Sequence, residues 1–183
     1  MRLFAAIRPP LAIAVAAVAA VEKSATSLDL DLRIPPVEQV HLTLAFYGEV
    51  ADHDGSDLAS RLERAAARSQ RFEMALRGAG AFSRRRAATV VWLGIEEPTG
   101  ALQRLAERAI AAGRRAGIAM EDRRWRAHLT VGRSRHPFDA APLLDALAGL
   151  ELGPWTVDEV ELVQSRLGAV VVHEPIARFS FPG

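Results

Sequence analysis

Cysteine is absent from this 183-residue chain. That removes disulfides and thiolate metal sites and leaves the redox compartment open. Also missing is an apolar run long enough to cross a bilayer, which takes about 20 residues. The nearest candidate, 11–21, is mostly alanine and valine. With Arg2 ahead of it, the first 20 residues have the outline of a secretory leader. Against that, RLFAAI at 2–7 reads as a strand in its own right, and Arg8-Pro9-Pro10 separates it from the apolar run. Pro10 also suits the first turn of a helix. A cytoplasmic protein without a membrane segment is therefore expected. Metal-ligand patterns are lacking too: there is no His-x-x-x-His and no acidic residue at ligand spacing beside the histidine motifs described below. Neither a metal nor another cofactor is expected.

What is present is ordinary in amount and uneven in distribution. Half the residues are apolar and a quarter charged, enough for a real core in a soluble globular chain. The net charge of +1 hides an asymmetry: from Arg77 to Arg135 there are 13 arginines against five acidic residues. Such a segment is either a solvated face or the footprint of an anionic partner.

The tripeptide His-Leu-Thr occurs twice, at His41-Leu42-Thr43 and His128-Leu129-Thr130. Five histidines and six threonines scattered at random would give about 0.16 His-x-Thr spacings, so two with the same middle residue are not chance. Each lies in a run of strand character, HLTLAF and HLTV. In a strand, residues i and i+2 share a face, so each motif offers an imidazole and a hydroxyl side by side with leucines behind.

The order of elements repeats around these motifs. A strand at 2–7, a helix at about 10–26, a motif strand at about 38–46, a helix at about 56–69 and a strand at 71–79 are expected. A strand at 88–95, a helix at about 99–116, the second motif strand at about 127–133 and a short helix at 140–148 follow. Strands at about 155–164 and 168–180, turning at Gly168, close the chain. The motifs are 87 residues apart, and RLFAAI falls opposite TVVWLG at the same offset. The expected architecture is α+β: one domain over 1–183, bilobal, from a duplicated unit with approximate repeats 1–80 and 88–165. Two antiparallel sheets would face a central cleft with helices outside, related by a pseudo-two-fold.

Two imidazoles across a cleft can act as a base and an acid, since both forms of histidine are populated near neutrality. Threonine hydroxyls can bond phosphate oxygens, and arginines can clamp them with paired donors. The set suits in-line attack on a phosphodiester, or opening of a cyclic phosphate, without a metal. The bland alternative is a structural His–Thr hydrogen bond that happens to be duplicated.

HLTLAFYGEV at 41–50 and HLTVGRSR at 128–135 resemble the two motifs of the two-histidine phosphoesterases, and within them the RNA 2′,3′-cyclic phosphodiesterases, also called 2′-5′ RNA ligases. MRLFAAIRPP is similar to that family's opening strand. Phe82-Ser83-Arg84-Arg85-Arg86 with VVWLG, and the closing ELVQSRLG, resemble further family segments. The resemblance implies metal-independent hydrolysis of a 2′,3′-cyclic phosphate to a 2′-phosphomonoester. It implies His41 as proton donor to the leaving 3′-oxygen, His128 as the acceptor that activates water, and Thr43 and Thr130 as phosphate-holding residues. The pseudo-symmetry leaves the two histidine roles interchangeable by pattern alone. Arg133 stands where many relatives have a basic residue. Five positions after His128, it needs a bulge or strand end to reach the same face. His173 stands where relatives often carry tyrosine.

Trp92, Tyr47 and Phe46 read as packing residues, and His53 and His136 as surface residues. The implied partner is RNA or a nucleotide with a 2′,3′-cyclic phosphate end, acted on by a monomer. Two other readings stay open: reversible 2′-5′ RNA ligation at the same site, and a non-catalytic module that binds RNA ends.

Overall fold

The computed structural model describes residues 1–122, 124–168 and 171–182. In chain order the elements are β1 (Arg2–Ile7), α1 (Leu11–Ser27), a 3-10 turn (Val37–Gln39), β2 (Leu42–Glu49), α2 (Asp52–Ala66), β3 (Phe72–Arg84), β4 (Ala87–Glu96), α3 (Ala101–Arg115), β5 (Leu129–Phe138), α4 (Ala141–Ala146), β6 (Glu151–Val157), β7 (Glu159–Arg166) and β8 (Val172–Ser180). They form two four-stranded antiparallel sheets, ordered β2-β1-β7-β8 and β5-β4-β3-β6. Each motif strand is thus the edge strand of its own sheet. The sheets are not built from the two halves of the chain separately, since β3 joins β4 and β6 while β7 and β8 join β1.

The expected strand over 155–164 is two strands in different sheets. β6 ends at Val157, β7 begins at Glu159, and Asp158 alone marks the crossing. Its carbonyl accepts from the Phe181 amide at 2.6 Å. Buried Trp155, Val157, Val160, Leu162 and Val163 straddle it, so the apolar pattern runs on where the chain changes partner. The expected start of the last strand at 168 moves to Val172; Ala169 and Val170 lie outside the described residues.

The helices form because their apolar residues recur at helical spacing. α1 buries Ala14, Ala17, Val18, Val21 and Ala25, and α3 buries Leu102, Leu105, Ala106, Ala109 and Ala112, the stripe that one face of a helix requires. They cross over: α1, which follows β1, packs towards β5 and β6, whereas α3, which follows β4, packs on β2. One core joins both halves. Gly113 lets α3 sit close to β2, since a Cβ there would lie 2.8 Å from the Tyr47 ring. The Tyr47 hydroxyl in turn donates to the Ala109 carbonyl at 3.0 Å. Tyr47 is therefore packing, as expected, and its burial pushes the phenol well above its ordinary pKa.

Candidate active site

Both motifs are built the same way. Leu42 and Leu129 are fully buried and anchor each strand into the core, which turns the flanking His and Thr to the opposite face. The Nδ1 of His41 bonds the Gln39 carbonyl at 2.7 Å, and the Nδ1 of His128 bonds the Arg126 carbonyl at 2.8 Å. A carbonyl only accepts, so Nδ1 carries a proton in both rings. When either ring is neutral, its lone pair is on Nε2.

The pairing registers equate the two halves residue by residue. Ile7 pairs with Leu42 and Ala6 with Thr43; Leu93 pairs with Leu129 and Trp92 with Thr130. Ile7 thus corresponds to Leu93, a separation of 86 positions. The expected offset of 87 between these flanking strands is out by one, because β1 and β4 are joined to their motif strands by segments of unequal length.

Each motif strand then carries a bulge at the same place. Ala5 pairs with Ala45, skipping Leu44, and Val91 pairs with Gly132, skipping Val131. An extra residue reverses the alternation beyond it. The bulge that Arg133 needs is present, and Arg133 lines the cleft with His128 and Thr130. Phe46 occupies the equivalent position in the first motif. The packing role expected of it does not hold: it is 41% exposed, because the bulge at Leu44 turns it into the same cleft. The Arg2 guanidinium lies over its ring, 5.0 Å from the centroid.

The cleft has a volume of about 440 Å3. His41, Thr43, His128, Thr130 and Arg133 all line it, so the five expected site residues are brought together. Arg2, Arg33, Phe46, Gln39 and His173 also line it, and among the described residues no carboxylate does. A second hollow of about 450 Å3 adjoins it across Thr43, Phe46 and His128, walled by Phe82, Ile110 and Trp125. Arg33 reaches the cleft from the long segment after α1, where it exchanges backbone hydrogen bonds with Arg133 at 2.8 and 3.0 Å. His53 and His136 lie on the surface.

The surroundings of the two imidazoles differ. Phe4 lies against His41 with centroids 4.8 Å apart, and His173 meets the same ring edge-on at 5.1 Å. His128 is met edge-on by Phe82 at 4.7 Å and more distantly by Trp92 at 6.5 Å. Trp92 is buried, as expected of a core residue, but Arg126 also stacks on its ring at 4.8 Å. Gly80 makes room for that indole, since a Cβ there would fall 2.2 Å from it.

A polar scaffold holds the His41 end. Gln39 accepts from His41 through its carbonyl and from the His173 amide through Oε1 at 3.0 Å. Arg8 donates to the Glu38 carbonyl, to the His173 carbonyl at 3.3 Å and to buried Glu161 at 2.6 Å. Arg178 donates to the other Glu161 oxygen at 2.9 Å. Burial above all, with His173, Arg8 and Arg133 adding like charge, brings the His41 pKa down to about 4 against the pull of the Gln39 carbonyl. Burial, then Arg8, Arg133 and Arg2, lowers that of His173.

Comparison with known proteins agrees with this arrangement. The family model of the 2′-5′ RNA ligase superfamily matches residues 9–169. The chain belongs to the 2′-5′ RNA ligase superfamily. It is 33% identical over 159 residues to an RNA 2′,3′-cyclic phosphodiesterase of Methanothermobacter thermautotrophicus, covering 82% of each chain. It is 32% identical over 133 residues to one of Aeropyrum pernix, covering 71% of this chain and 74% of that one. Among solved structures it superposes on Escherichia coli LigT complexed with 3′-AMP with a TM-score of 0.79 and 28% identity, covering 100% and 98%. A Thermus thermophilus protein gives 0.76 and 28%, covering 99% and 98%.

Proposed function

We propose that this protein hydrolyses RNA 2′,3′-cyclic phosphodiester ends to 2′-phosphomonoesters, using its two histidines as an acid–base pair and no metal. The observation that carries this reading is the convergence of both His-Leu-Thr motifs, with Arg133, on one cleft. Three arginines and, among the described residues, no carboxylate stand in its wall.

The cyclic phosphate would lie between the rings, its non-bridging oxygens taken by the hydroxyls of Thr43 and Thr130 and by Arg133. His128 Nε2 removes a proton from water as the water oxygen bonds phosphorus. The bond from phosphorus to the 3′-oxygen breaks, and His41 Nε2 supplies the proton that oxygen needs. The 2′-ester remains. With a pKa of about 4, His41 is neutral near pH 7 before substrate binds. The phosphodiester anion reverses the local charge balance and favours the imidazolium, so substrate loads its own acid. The Nδ1–H bond to the Gln39 carbonyl survives that protonation and keeps the ring aimed. The cleft is complete within one chain, which supports action as a monomer.

The test is incubation with a 2′,3′-cyclic nucleotide in excess chelator, separating 2′- from 3′-phosphate. The expected product is the 2′-phosphate alone. A mixture of isomers, or no turnover by folded protein, would overturn the reading.

A further inference from the structure

Outside the cleft a strongly basic groove of about 550 Å3 lies between α2 and α3. Arg61, Arg64, Arg68, Arg104, Arg108 and Arg115 line it, with Glu107 the acidic residue in its wall. At 100° per residue, Arg61 and Arg64 fall within about 60° of one another on α2, with Arg68 in the turn that follows it, and Arg104, Arg108 and Arg115 fall within about 40° on α3. Two arginine stripes therefore face each other across one furrow.

These charges are left largely uncompensated. Arg61 pairs with Asp57 at 2.7 Å. Arg104 donates to the Thr99 carbonyl at 3.1 Å and Arg108 to the Ser69 hydroxyl at 3.0 Å, both neutral partners, and Glu107 is engaged by Gln103 at 2.9 Å. Among the described residues no carboxylate forms an ion pair with Arg64, Arg68, Arg104, Arg108 or Arg115. Like charges on facing helices repel, and a surface arranged this way fits a polyanion better than it fits itself. Guanidinium groups suit phosphate in particular, because their planar fork gives paired donors.

α3 links this groove to the cleft. Ile110 walls the second hollow beside His128 and Phe46, and the arginines of α3 lie about 120–160° around the same helix from it. A strand leaving the cleft next to His128 needs to pass only about one helix diameter, some 10–12 Å, to reach them.

We infer that the α2–α3 groove is a second, sequence-independent docking surface for the sugar-phosphate backbone of the RNA whose end is in the cleft. The inference rests on the proposed reading that RNA ends are the substrate. It makes the protein a better enzyme on polymers than on mononucleotides, and it assigns that preference to residues remote from the chemistry.

The test uses the full chain with Arg64→Gln, Arg68→Gln and Arg115→Gln combined, three exposed arginines outside the core. KM for an oligoribonucleotide with a 2′,3′-cyclic end should rise about tenfold near 0.1 M salt, as expected when several phosphate contacts are lost. Turnover of the 2′,3′-cyclic mononucleotide should keep its kcat and KM. Binding of an oligoribonucleotide ending in 2′-phosphate should lose about two from the slope of log K against log salt, since each single-strand phosphate contact contributes about 0.7. That binding arm needs no turnover and so reads the groove even if the proposed activity fails. An unchanged KM for the polymer with an unchanged salt slope would overturn the inference. So would displacement of the RNA by polyglutamate of equal charge at equal concentration, which would make the groove a general seat for acidic chains.

Discussion

The two motif halves share a backbone plan and differ in what surrounds the imidazole. Both rings sit one residue before an edge strand, both donate Nδ1–H to the carbonyl two residues back, and both strands bulge two residues after the leucine. Past the bulge the first half presents Phe46 and the second Arg133. Edge-on to the ring, the first half has His173 and the second Phe82. The duplicated scaffold positions reactive groups symmetrically, and single side chains then give the ends of the cleft different tasks. In the proposed reading Arg133 makes one end a phosphate clamp. Phe46, with Arg2 over it, gives the other an aromatic face.

The predictions that break or sharpen this comparison run from large to small in activity, and then turn to stability. His41→Ala and His128→Ala should each lower kcat/KM by about 10³-fold while the folded protein keeps its circular dichroism spectrum, in the range of general acid–base contributions. A variant with full activity would remove one half from the chemistry.

The positions after the bulge should differ next. Arg133→Ala loses a charge-assisted contact of about 1.5–3 kcal/mol, read as roughly 10- to 150-fold in kcat/KM. Phe46→Ala should raise KM by less than that and leave kcat nearly unchanged. Equal effects on both parameters would erase the distinction between the ends. Replacing Thr43 or Thr130 by Val should each cost about 0.5–1.5 kcal/mol of transition-state binding, because one neutral hydrogen bond is lost.

The scaffold beneath His41 should show in stability. Arg8→Ala leaves buried Glu161 with Arg178 alone and should destabilise towards the lower end of the ~3–5 kcal/mol seen when a buried pair is broken. Urea denaturation checks this.

The pH effect belongs to the first half. His41 titrates near 6.5 when unfolded and at about 4 when folded, so the unfolded chain takes up the proton first as the medium becomes acidic. The stability tied to neutral His41 is whole above about pH 6.5 and drains away as pH falls to about 4. Tm should therefore climb between about pH 4 and 6.5, less steeply in His41→Ala. In kcat/KM the same group, as the proton donor, sets the alkaline limb, activity falling as pH rises through its free-protein pKa of about 4. His173→Phe, which removes a like charge, should move that limb upward.

Much of this was legible in the residues. The duplicated His-Leu-Thr fixes both imidazoles and both hydroxyls, because strand alternation is local and robust. The parity argument for Arg133 demands a bulge, and the bulge is there. The same argument applied to the first motif would have turned Phe46 into the cleft, since it stands five positions after His41 as Arg133 does after His128. Other features carried no local signal. Arg33 arrives through a bridge to Arg133, 100 positions away in sequence. Arg8 and Gln39 matter through partners on β7 and β8. The division of 155–164 at Asp158 is invisible because the apolar pattern continues while the chain changes sheet.

The division of labour between the halves is tested most directly by the bridging atom of the leaving group. A 2′,3′-cyclic substrate with sulfur in place of the 3′-oxygen leaves as a thiolate and needs no proton. Assayed in chelator, His41→Ala should recover to within about tenfold of the unmodified protein on this substrate, while His128→Ala stays about 10³-fold down. Recovery of His128→Ala instead, or equal losses in both variants, would contradict the assignment of acid to one motif and base to the other.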